Sequence, residues 1–405
     1  MKLSLWTCVA LGLVACGGGG AGQDAAAAPA PAPVPAPAPA AAVPAAPPGP
    51  LRPVTVASGL VNPWSLAFLP EGGMLITERP GRLRRVAADG RLAAAAITGV
   101  PAVAAAGQGG LFDVVLAADF ASSRRLYLSY AEPGTGAEAG RNGLAVGSAV
   151  LSADGSALTQ WRVIFRQSPK VASSGHFGGR IVLAPGDTLF ITLGDRQAAS
   201  ESIKAQDLAQ GHGKIMRIRS DGSVPADNPF IGQTGAQATI WSYGHRNVQG
   251  AALHPLTGEM WATEHGPQGG DEVNRVRAGL NYGWPRVSYG CDYGSSVGNC
   301  TPVGGASSGA GYEPPLSYWV PTSIAPSGLV FYTGGRYPEW RGQLFSGALA
   351  GQALWRIQLN GNQVVQREAL LTDMGERIRD VRQGPDEWLY VVTDSGNGRV
   401  LRLER

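Results

Sequence analysis

The sequence predicts an all-β chain folded as a six-bladed β-propeller, and two patterns carry that prediction. An apolar strand, a turn rich in Pro, Asp or Gly, a second apolar strand and then a Thr, Asp or Glu recur six times along the chain. The copies stand roughly 50 to 75 residues apart, which suits propeller blades joined by long insertions. Helical periodicity, with apolar residues at every third or fourth position, is nearly absent. By length alone the roughly 350 residues of the globular part could form one large all-β unit or two domains, and the repetition decides for one.

In chain order, Met1-Lys2 leads into the apolar stretch from Leu3 to Ala15, too short to cross a bilayer but long enough for a signal-peptide core. It ends Leu13-Val14-Ala15-Cys16-Gly17, which resembles a bacterial lipobox, where the Cys takes lipid and becomes the mature N-terminus. Residues 1–15 are therefore expected to be a lipoprotein signal peptide and Cys16 the lipidation site. The Gly that follows favours the periplasmic side of the outer membrane of a Gram-negative bacterium. Residues 16–50 are almost all Gly, Ala and Pro and read as an extended, semi-rigid tether. Gly17, Gly19 and Gly22 match the dinucleotide-binding spacing, but no strand precedes them and no helix follows.

The propeller is expected over residues 51–405. Its first two repeats run Leu66-Ala67-Phe68-Leu69-Pro70 to Met74-Leu75-Ile76-Thr77-Glu78, and Val114-Val115-Leu116 to Leu126-Tyr127-Leu128-Ser129. The third and fourth run Ile181-Val182-Leu183-Ala184-Pro185 to Leu189-Phe190-Ile191-Thr192, and Ala252-Leu253-His254-Pro255 to Met260-Trp261-Ala262-Thr263-Glu264. The last two are Leu329-Val330-Phe331-Tyr332 to Gln343-Leu344-Phe345-Ser346, and Val381-Arg382-Gln383-Gly384-Pro385 to Trp388-Leu389-Tyr390-Val391-Val392-Thr393. The terminal run Arg399-Val400-Leu401-Arg402-Leu403 is expected to pair with Pro53-Val54-Thr55-Val56 and close the ring, because an unpaired strand edge invites aggregation.

Cysteine use agrees with export. Cys8 lies in the signal and Cys16 takes lipid, leaving Cys291 and Cys300 to form a disulfide in an oxidising compartment. Such a small loop gains about 2 to 3 kcal/mol on the chain-entropy view. Net charge is only +3, with no long basic run, which gives no support for nucleic-acid binding. Gly305-Ala306-Ser307-Ser308-Gly309 matches a nucleophile-elbow pattern but sits in a Gly/Ser-rich loop without the required strand and helix.

Ligands of propellers sit at the mouth of the central channel, so the polar loops leaving the repeats become the candidate site. The run from Glu264 to Glu272 packs three carboxylates, one imidazole, three glycines and a proline into nine residues. Carboxylates and carbonyls exposed by Gly and Pro turns are the hard ligands that calcium prefers, whereas one His is too little for zinc. Ser174 to Arg180 leads into the third repeat, Leu193 to Arg196 leaves it, and Tyr243 to Gly250 leads into the fourth. His176 and Asp195 could thus meet at the channel as a base and its orienting carboxylate.

At this point a family resemblance becomes specific. Gly107-Gln108-Gly109-Gly110-Leu111, His176-Phe177-Gly178-Gly179-Arg180, Gly194-Asp195, Gly213-Lys214-Ile215, Gly244-His245-Arg246-Asn247, Glu264-His265-Gly266-Pro267, Asp271-Glu272, Asn281-Tyr282-Gly283-Trp284-Pro285 and Pro321-Thr322 resemble the soluble quinoprotein sugar dehydrogenases. The branch is that of the bacterial aldose sugar dehydrogenases of the glucose/sorbosone dehydrogenase family. The resemblance runs from about Val54 to Arg405 and implies a propeller that binds pyrroloquinoline quinone (PQQ) and calcium.

It further implies that His176 takes the proton of the sugar's anomeric hydroxyl, that Asp195 orients His176, and that Arg246 and Asn247 stabilise the reactive carbonyl. Gln108, Arg246, Asn247, His265, Asp271, Thr322, Arg377 and Arg379 become the cofactor-binding set. A tricarboxylate quinone needs guanidinium and amide donors, and Arg377-Ile378-Arg379 reads as a strand presenting two arginines to one face. Gly266 and Pro267 would give main-chain oxygens to the cofactor calcium. Glu272, the Tyr282 carbonyl and Asp292 would hold a second, structural calcium, with Asp292 placed only by its distance from the Tyr282 motif. His265 stands where some members carry an amide.

One departure bears on the cofactor. Where the family carries a Lys, this chain reads Ser346-Gly347-Ala348-Leu349-Ala350-Gly351-Gln352, with Ala350 at the position of the cation. A lost charge-assisted bond is worth on the order of 1 to 3 kcal/mol. The expected activity is PQQ-dependent oxidation of an aldose at C1 to the lactone, with electrons passing to an external acceptor. Two other classes stay open: a calcium-dependent lactonase on a similar propeller, and a non-catalytic propeller that binds a glycan or a protein, which Ala350 would favour.

Overall fold

The computed structural model describes residues 49–296 and 298–405. The signal peptide, Cys16 and nearly all of the tether lie outside the described residues. Six antiparallel sheets follow one another along the chain. Blade 1 has three strands, Pro63–Phe68, Met74–Glu78 and Arg82–Val86. Blade 2 has Leu111–Leu116, Arg125–Pro133, Asn142–Leu151 and Leu158–Arg166. Blade 3 has Gly178–Ala184, Thr188–Leu193, Lys214–Arg219 and Ile240–Tyr243. Blade 4 has Val248–Leu253, Met260–Glu264, Asp271–Val276 and Ser317–Trp319. Blade 5 has Pro326–Phe331, Leu344–Ala348, Ala353–Asn360 and Gln363–Leu370.

Blade 6 is made from both ends of the described chain. Ile378–Gln383, Leu389–Thr393 and Gly398–Glu404 are joined by Arg52–Leu60 as the outermost strand. Pro53 pairs with Leu403, Val54 with Arg402 and Thr55 with Leu401, the closure expected from the terminal run. The six predicted repeats fall on the first two strands of the six blades. Consecutive first strands touch one another around the ring, so they form its innermost layer.

Packing explains why the second strand of each blade was readable as a continuous apolar run. Met74–Glu78, Thr188–Leu193, Leu344–Ala348 and Leu389–Thr393 are buried at every residue, with blades on both sides. The outer strand Gln363–Leu370 has no fully buried residue, and its sequence is correspondingly polar. Core clusters bridge neighbouring blades, and aromatic pairs recur at the joints. Trp261 meets Phe331 edge-on at 5.5 Å between blades 4 and 5, and Phe68 meets Tyr390 edge-on at 4.8 Å between blades 1 and 6. Each such pair contributes about 0.5 to 1.5 kcal/mol beyond its buried area. Among the described residues the longest helices have four residues.

Charges plug the axis. Arg180 of blade 3 lies 3.3 Å from Asp113 of blade 2 and 3.2 Å from Asp380 of blade 6. Arg382 reaches the same two carboxylates at 3.0 and 2.8 Å. The guanidinium of Arg180 also lies 4.3 Å from the Trp64 ring of blade 1. Two cations and two anions balance, as a buried ionic cluster must to offset desolvation.

Candidate active site

Above this plug opens a cavity of about 210 Å³, whose walls include Trp64, Phe112, Phe177, Arg79, Arg377 and Arg379. Gln108, Asn247, Gln249, His265, Leu349 and Asp394 complete much of the rest. Three guanidinium groups face one carboxylate, over an aromatic floor in which Trp64–Phe112 and Phe112–Phe177 centroids lie 5.6 and 5.4 Å apart. Such a site suits a flat, strongly anionic ligand.

His176 and Asp195, nineteen residues apart, are brought together by the loops at either end of blade 3's inner strand pair. His176 Nδ1–H donates to Asp195 Oδ1 at 2.7 Å. Asp195 also accepts from Gln197 N–H at 2.8 Å, Ser202 Oγ–H at 2.6 Å and Trp284 Nε1–H at 2.7 Å. Burial works against the Asp195 anion, but the His176 hydrogen bond and the nearby Arg246 charge hold its carboxyl below the usual range. An ionised Asp195 fixes the proton of His176 on Nδ1. Nε2 is left as the basic nitrogen, with no hydrogen-bond partner among the described residues. Burial, with Arg246 and Arg196 nearby, holds His176 below its ordinary value, so the ring is neutral at pH 7.

The backbone is bent to achieve this. His176 has φ of 43°, a left-handed conformation that most side chains avoid and that often marks functional sites. Its N–H is held by Gln108 Oε1 at 2.8 Å. A Cβ on Gly194 would stand 2.1 Å from the His176 carbonyl oxygen, so only glycine lets the two loops approach. Lys214, fully buried, donates from Nζ to the carbonyls of Lys204, Ala205 and His212 at 3.2, 2.9 and 2.7 Å. It thereby gathers the short turn that carries Ser202 to Asp195.

Blade 4 supplies the neighbouring wall. Glu264 accepts from Arg246 N–H at 2.7 Å, His245 Nδ1–H at 2.9 Å and Asn274 Nδ2–H at 2.9 Å, so it shapes the turn before Arg246. Arg246 Nη1 in turn donates to the carbonyls of Gly266 and His265 at 2.5 and 3.2 Å. Asn247 Oδ1 accepts from Gly178 N–H and Gln249 Nε2–H, both at 3.2 Å, which leaves its amide nitrogen for a ligand. His265 Nε2–H donates to the Pro326 carbonyl at 2.8 Å, and burial together with the charges of His176 and Arg246 holds its pKa at about 3.

Arg377 and Arg379 line the cavity, although the strand begins only at Ile378. Both converge on Asp394 Oδ2, at 3.2 and 2.9 Å. Burial opposes the Asp394 charge, yet these two arginines keep its carboxyl below the usual range. The sequence motifs assign no individual role to Asp394, Ser202, Trp284 or Gln249. The repeat held a signal for one of them, since Asp394 follows the Thr393 that ends the sixth repeat, as Glu264 follows Thr263 in the fourth.

Several expected members lie elsewhere. Asp271 does not line the cavity. One oxygen accepts from Gly266 N–H at 2.8 Å, and the other from Ser323 Oγ–H, Ile324 N–H and Ala325 N–H at 2.6, 2.6 and 2.8 Å. It ties the Gly266 loop to the segment before blade 5, leaving Thr322 exposed and off the cavity wall. Asp292 is exposed beside the Cys291–Cys300 disulfide, and it lines neither of the small cavities beside Glu272 and Tyr282. Ala350 is exposed, and the residue presented to the cavity there is Leu349.

Glu264 and Glu272 stand directly opposite on adjacent strands. Burial and the Glu264 charge push the Glu272 carboxyl well above its ordinary range. Among the described residues, no group of three or more His, Cys, Asp or Glu side chains converges as a metal cluster.

The fold and site define a class: a six-bladed propeller with a histidine–aspartate pair beside an arginine-rich axial cavity. The chain belongs to the glucose/sorbosone dehydrogenase family, whose sequence profile matches residues 60–402. The aldose sugar dehydrogenase of Escherichia coli (strain K12) is 46% identical over 359 residues, covering 88% of this chain and 94% of the relative. The crystal structure of the apo form of the soluble E. coli aldose sugar dehydrogenase superposes with a TM-score of 0.82, over 87% of this chain and 99% of that one. The PQQ-bound form of an aldose sugar dehydrogenase from Streptomyces coelicolor, 30% identical, covers 89% of this chain and 99% of its own with a TM-score of 0.70.

Proposed function

We propose that this chain is a PQQ-dependent aldose sugar dehydrogenase that oxidises the anomeric carbon of an aldose to the lactone and hands the electrons to an external acceptor. The observation that carries the reading is His176, its Nδ1 locked by Asp195 and its neighbours Phe177 and Gly178 on the wall of a cavity with three arginines. The residues present fit the cofactor. Nε of Arg379, on the cavity wall, and Nε of Arg246 are buried without a hydrogen-bond partner among the described residues, and such donors call for an anionic acceptor. Arg79, Arg377 and Arg379 would meet carboxylates, Gln108 and Asn247 would add amide contacts, and the Trp64–Phe112–Phe177 floor would support a planar ring system.

When bound, the quinone supplies the two-electron acceptor that takes hydride from C1. The chain's part is to hold the sugar and move its proton. His176 Nε2 accepts the proton of the anomeric hydroxyl as the C1–O double bond forms, and Asp195 stabilises the resulting imidazolium. Calcium would be held near the cofactor by the main-chain oxygens of Gly266 and Pro267. Arg246 Nη1 donates to that Gly266 oxygen at 2.5 Å. A second calcium would lie by Glu272 and the Tyr282 carbonyl, where the carboxyls of Glu264 and Glu272 stand opposed.

Purified protein mixed with calcium and PQQ should take up the cofactor and reduce a dye with aldoses. No uptake defeats the reading, and lactone opening without added quinone would support the hydrolytic alternative. We also read the chain as lipid-anchored through Cys16 on the periplasmic side of the outer membrane, a reading supported by residues 1–17 alone. Metabolic labelling with a fatty acid should mark the parent and leave Cys16→Ser unmarked.

A further inference from the structure

Tyr293 is an aromatic side chain left 71% exposed at the edge of the site. A tyrosine ring in water forgoes the stabilisation that burial would bring. Here the loop that carries the ring is nonetheless held in place. The Cys291–Cys300 disulfide closes its loop, and Gln268, next to Pro267, ties the loop down through four hydrogen bonds. Its N–H donates to the Cys291 carbonyl at 2.9 Å, and its own carbonyl accepts from Cys291 N–H at 3.0 Å. Its side-chain Nε2–H donates to the Ser295 carbonyl at 2.7 Å, and Oε1 accepts from Gly294 N–H at 2.9 Å.

Tyr293 is aimed at the reactive corner. Its hydroxyl lies 3.4 Å from Arg246 Nη2, and its ring centroid 5.9 Å from that guanidinium. The other aromatic against Arg246, Trp284 at 5.1 Å, is committed to Asp195 through its indole N–H. Arg246 is also close enough to His176 for its charge to bear on that imidazole. A water-facing ring on a pinned loop, with Arg246 between it and the proton-accepting histidine, suits recognition of a pyranose. The axial hydrogens of a sugar form an apolar face that packs on an aromatic ring, while its hydroxyls stay hydrated.

We propose that Tyr293 is a specificity-determining residue whose exposed face stacks on the C–H face of the aldose. The proposal rests on the sugar dehydrogenase reading. It selects sugars with equatorial hydroxyls, glucose-like in shape, over those whose axial hydroxyls interrupt that face.

The test uses the protein loaded with PQQ and calcium. Tyr293→Ala should raise KM for glucose about tenfold and fall on KM rather than kcat, while Tyr293→Phe, which keeps the ring, should restore it. The penalty should be smaller for an aldose with axial hydroxyls. A second measurement is independent of turnover: saturation-transfer NMR with methyl β-glucoside, which has no free anomeric hydroxyl to oxidise. The parent and Tyr293→Phe should saturate the ring-face hydrogens, and Tyr293→Ala should not. An unchanged KM in Tyr293→Ala, or an unchanged saturation pattern, overturns the proposal. Tyr293-dependent saturation without turnover of any aldose would retain the sugar contact and defeat the dehydrogenase reading.

Discussion

Asp195 accepts four hydrogen bonds, and only one of them comes from the residue it serves. The other three fix the carboxylate so that His176 cannot rotate away, which makes the pair a preorganised base. His176→Ala should lower kcat by about 10² to 10⁴ while cofactor uptake persists, measured by dye reduction against bound quinone. The base must be neutral to act, and burial depresses its pKa below the ordinary 6.5. The kcat/KM profile should therefore stay flat to pH values below 6.5 and fall as His176 is protonated. Asp195→Asn removes an anion that raises the His176 pKa, so the acid limb should move further down in pH as kcat drops. An acid limb that stayed put would remove Asp195 from this role. Both members of the pair were legible as motifs because each lies in a short Gly-containing loop. Ser202 and Trp284 were not legible as its partners, because Trp284 reaches Asp195 across 89 residues of sequence.

The loop from Glu264 to Glu272 looked like a calcium loop in sequence, and its carboxylates divide their labour. Glu264 accepts from the turn before Arg246, and Asp271 ties the Gly266 loop to Ser323, Ile324 and Ala325. Only Glu272 keeps oxygen capacity next to a like charge. Calcium added to metal-free protein should raise Tm, and Glu272→Gln should abolish the rise; an undiminished rise in the variant would move the metal elsewhere. In blade 6, Asp394 gathers Arg377 and Arg379. Asp394→Ala should cost about 3 kcal/mol, read by denaturant unfolding, because it strands a largely buried guanidinium. Asp292, expected from its distance to the Tyr282 motif, is exposed beside the disulfide, and Thr322, expected from the Pro321-Thr322 motif, is exposed off the cavity wall. Neither a distance nor a motif says which way a loop turns, and here Asp271 and the disulfide hold these loops.

At the scale of the molecule, the ring was legible because the second strand of each blade is sandwiched between neighbours and must be apolar at nearly every position. The axial charge plug was not, since Asp113, Arg180, Asp380 and Arg382 are drawn from three blades and meet only when the ring is closed. Closure itself depends on Arg52–Leu60 laying the last ladder of blade 6 along Gly398–Glu404. Leu60 is fully buried and packs in the cluster that joins blade 6 to blade 1, with Met74, Val392 and Val400. Leu60→Ala should destabilise by about 3 kcal/mol through the lost transfer energy and the cavity left behind. Deleting residues 49–60 should do more than remove that contact. It bares the hydrogen-bonding edge of Gly398–Glu404, and an exposed edge of this kind recruits other chains. The deleted protein should elute as oligomers or precipitate, whereas Leu60→Ala should remain monodisperse with a lower Tm. A monodisperse deletion variant with the parent's Tm would show that the ring holds without its N-terminal strand.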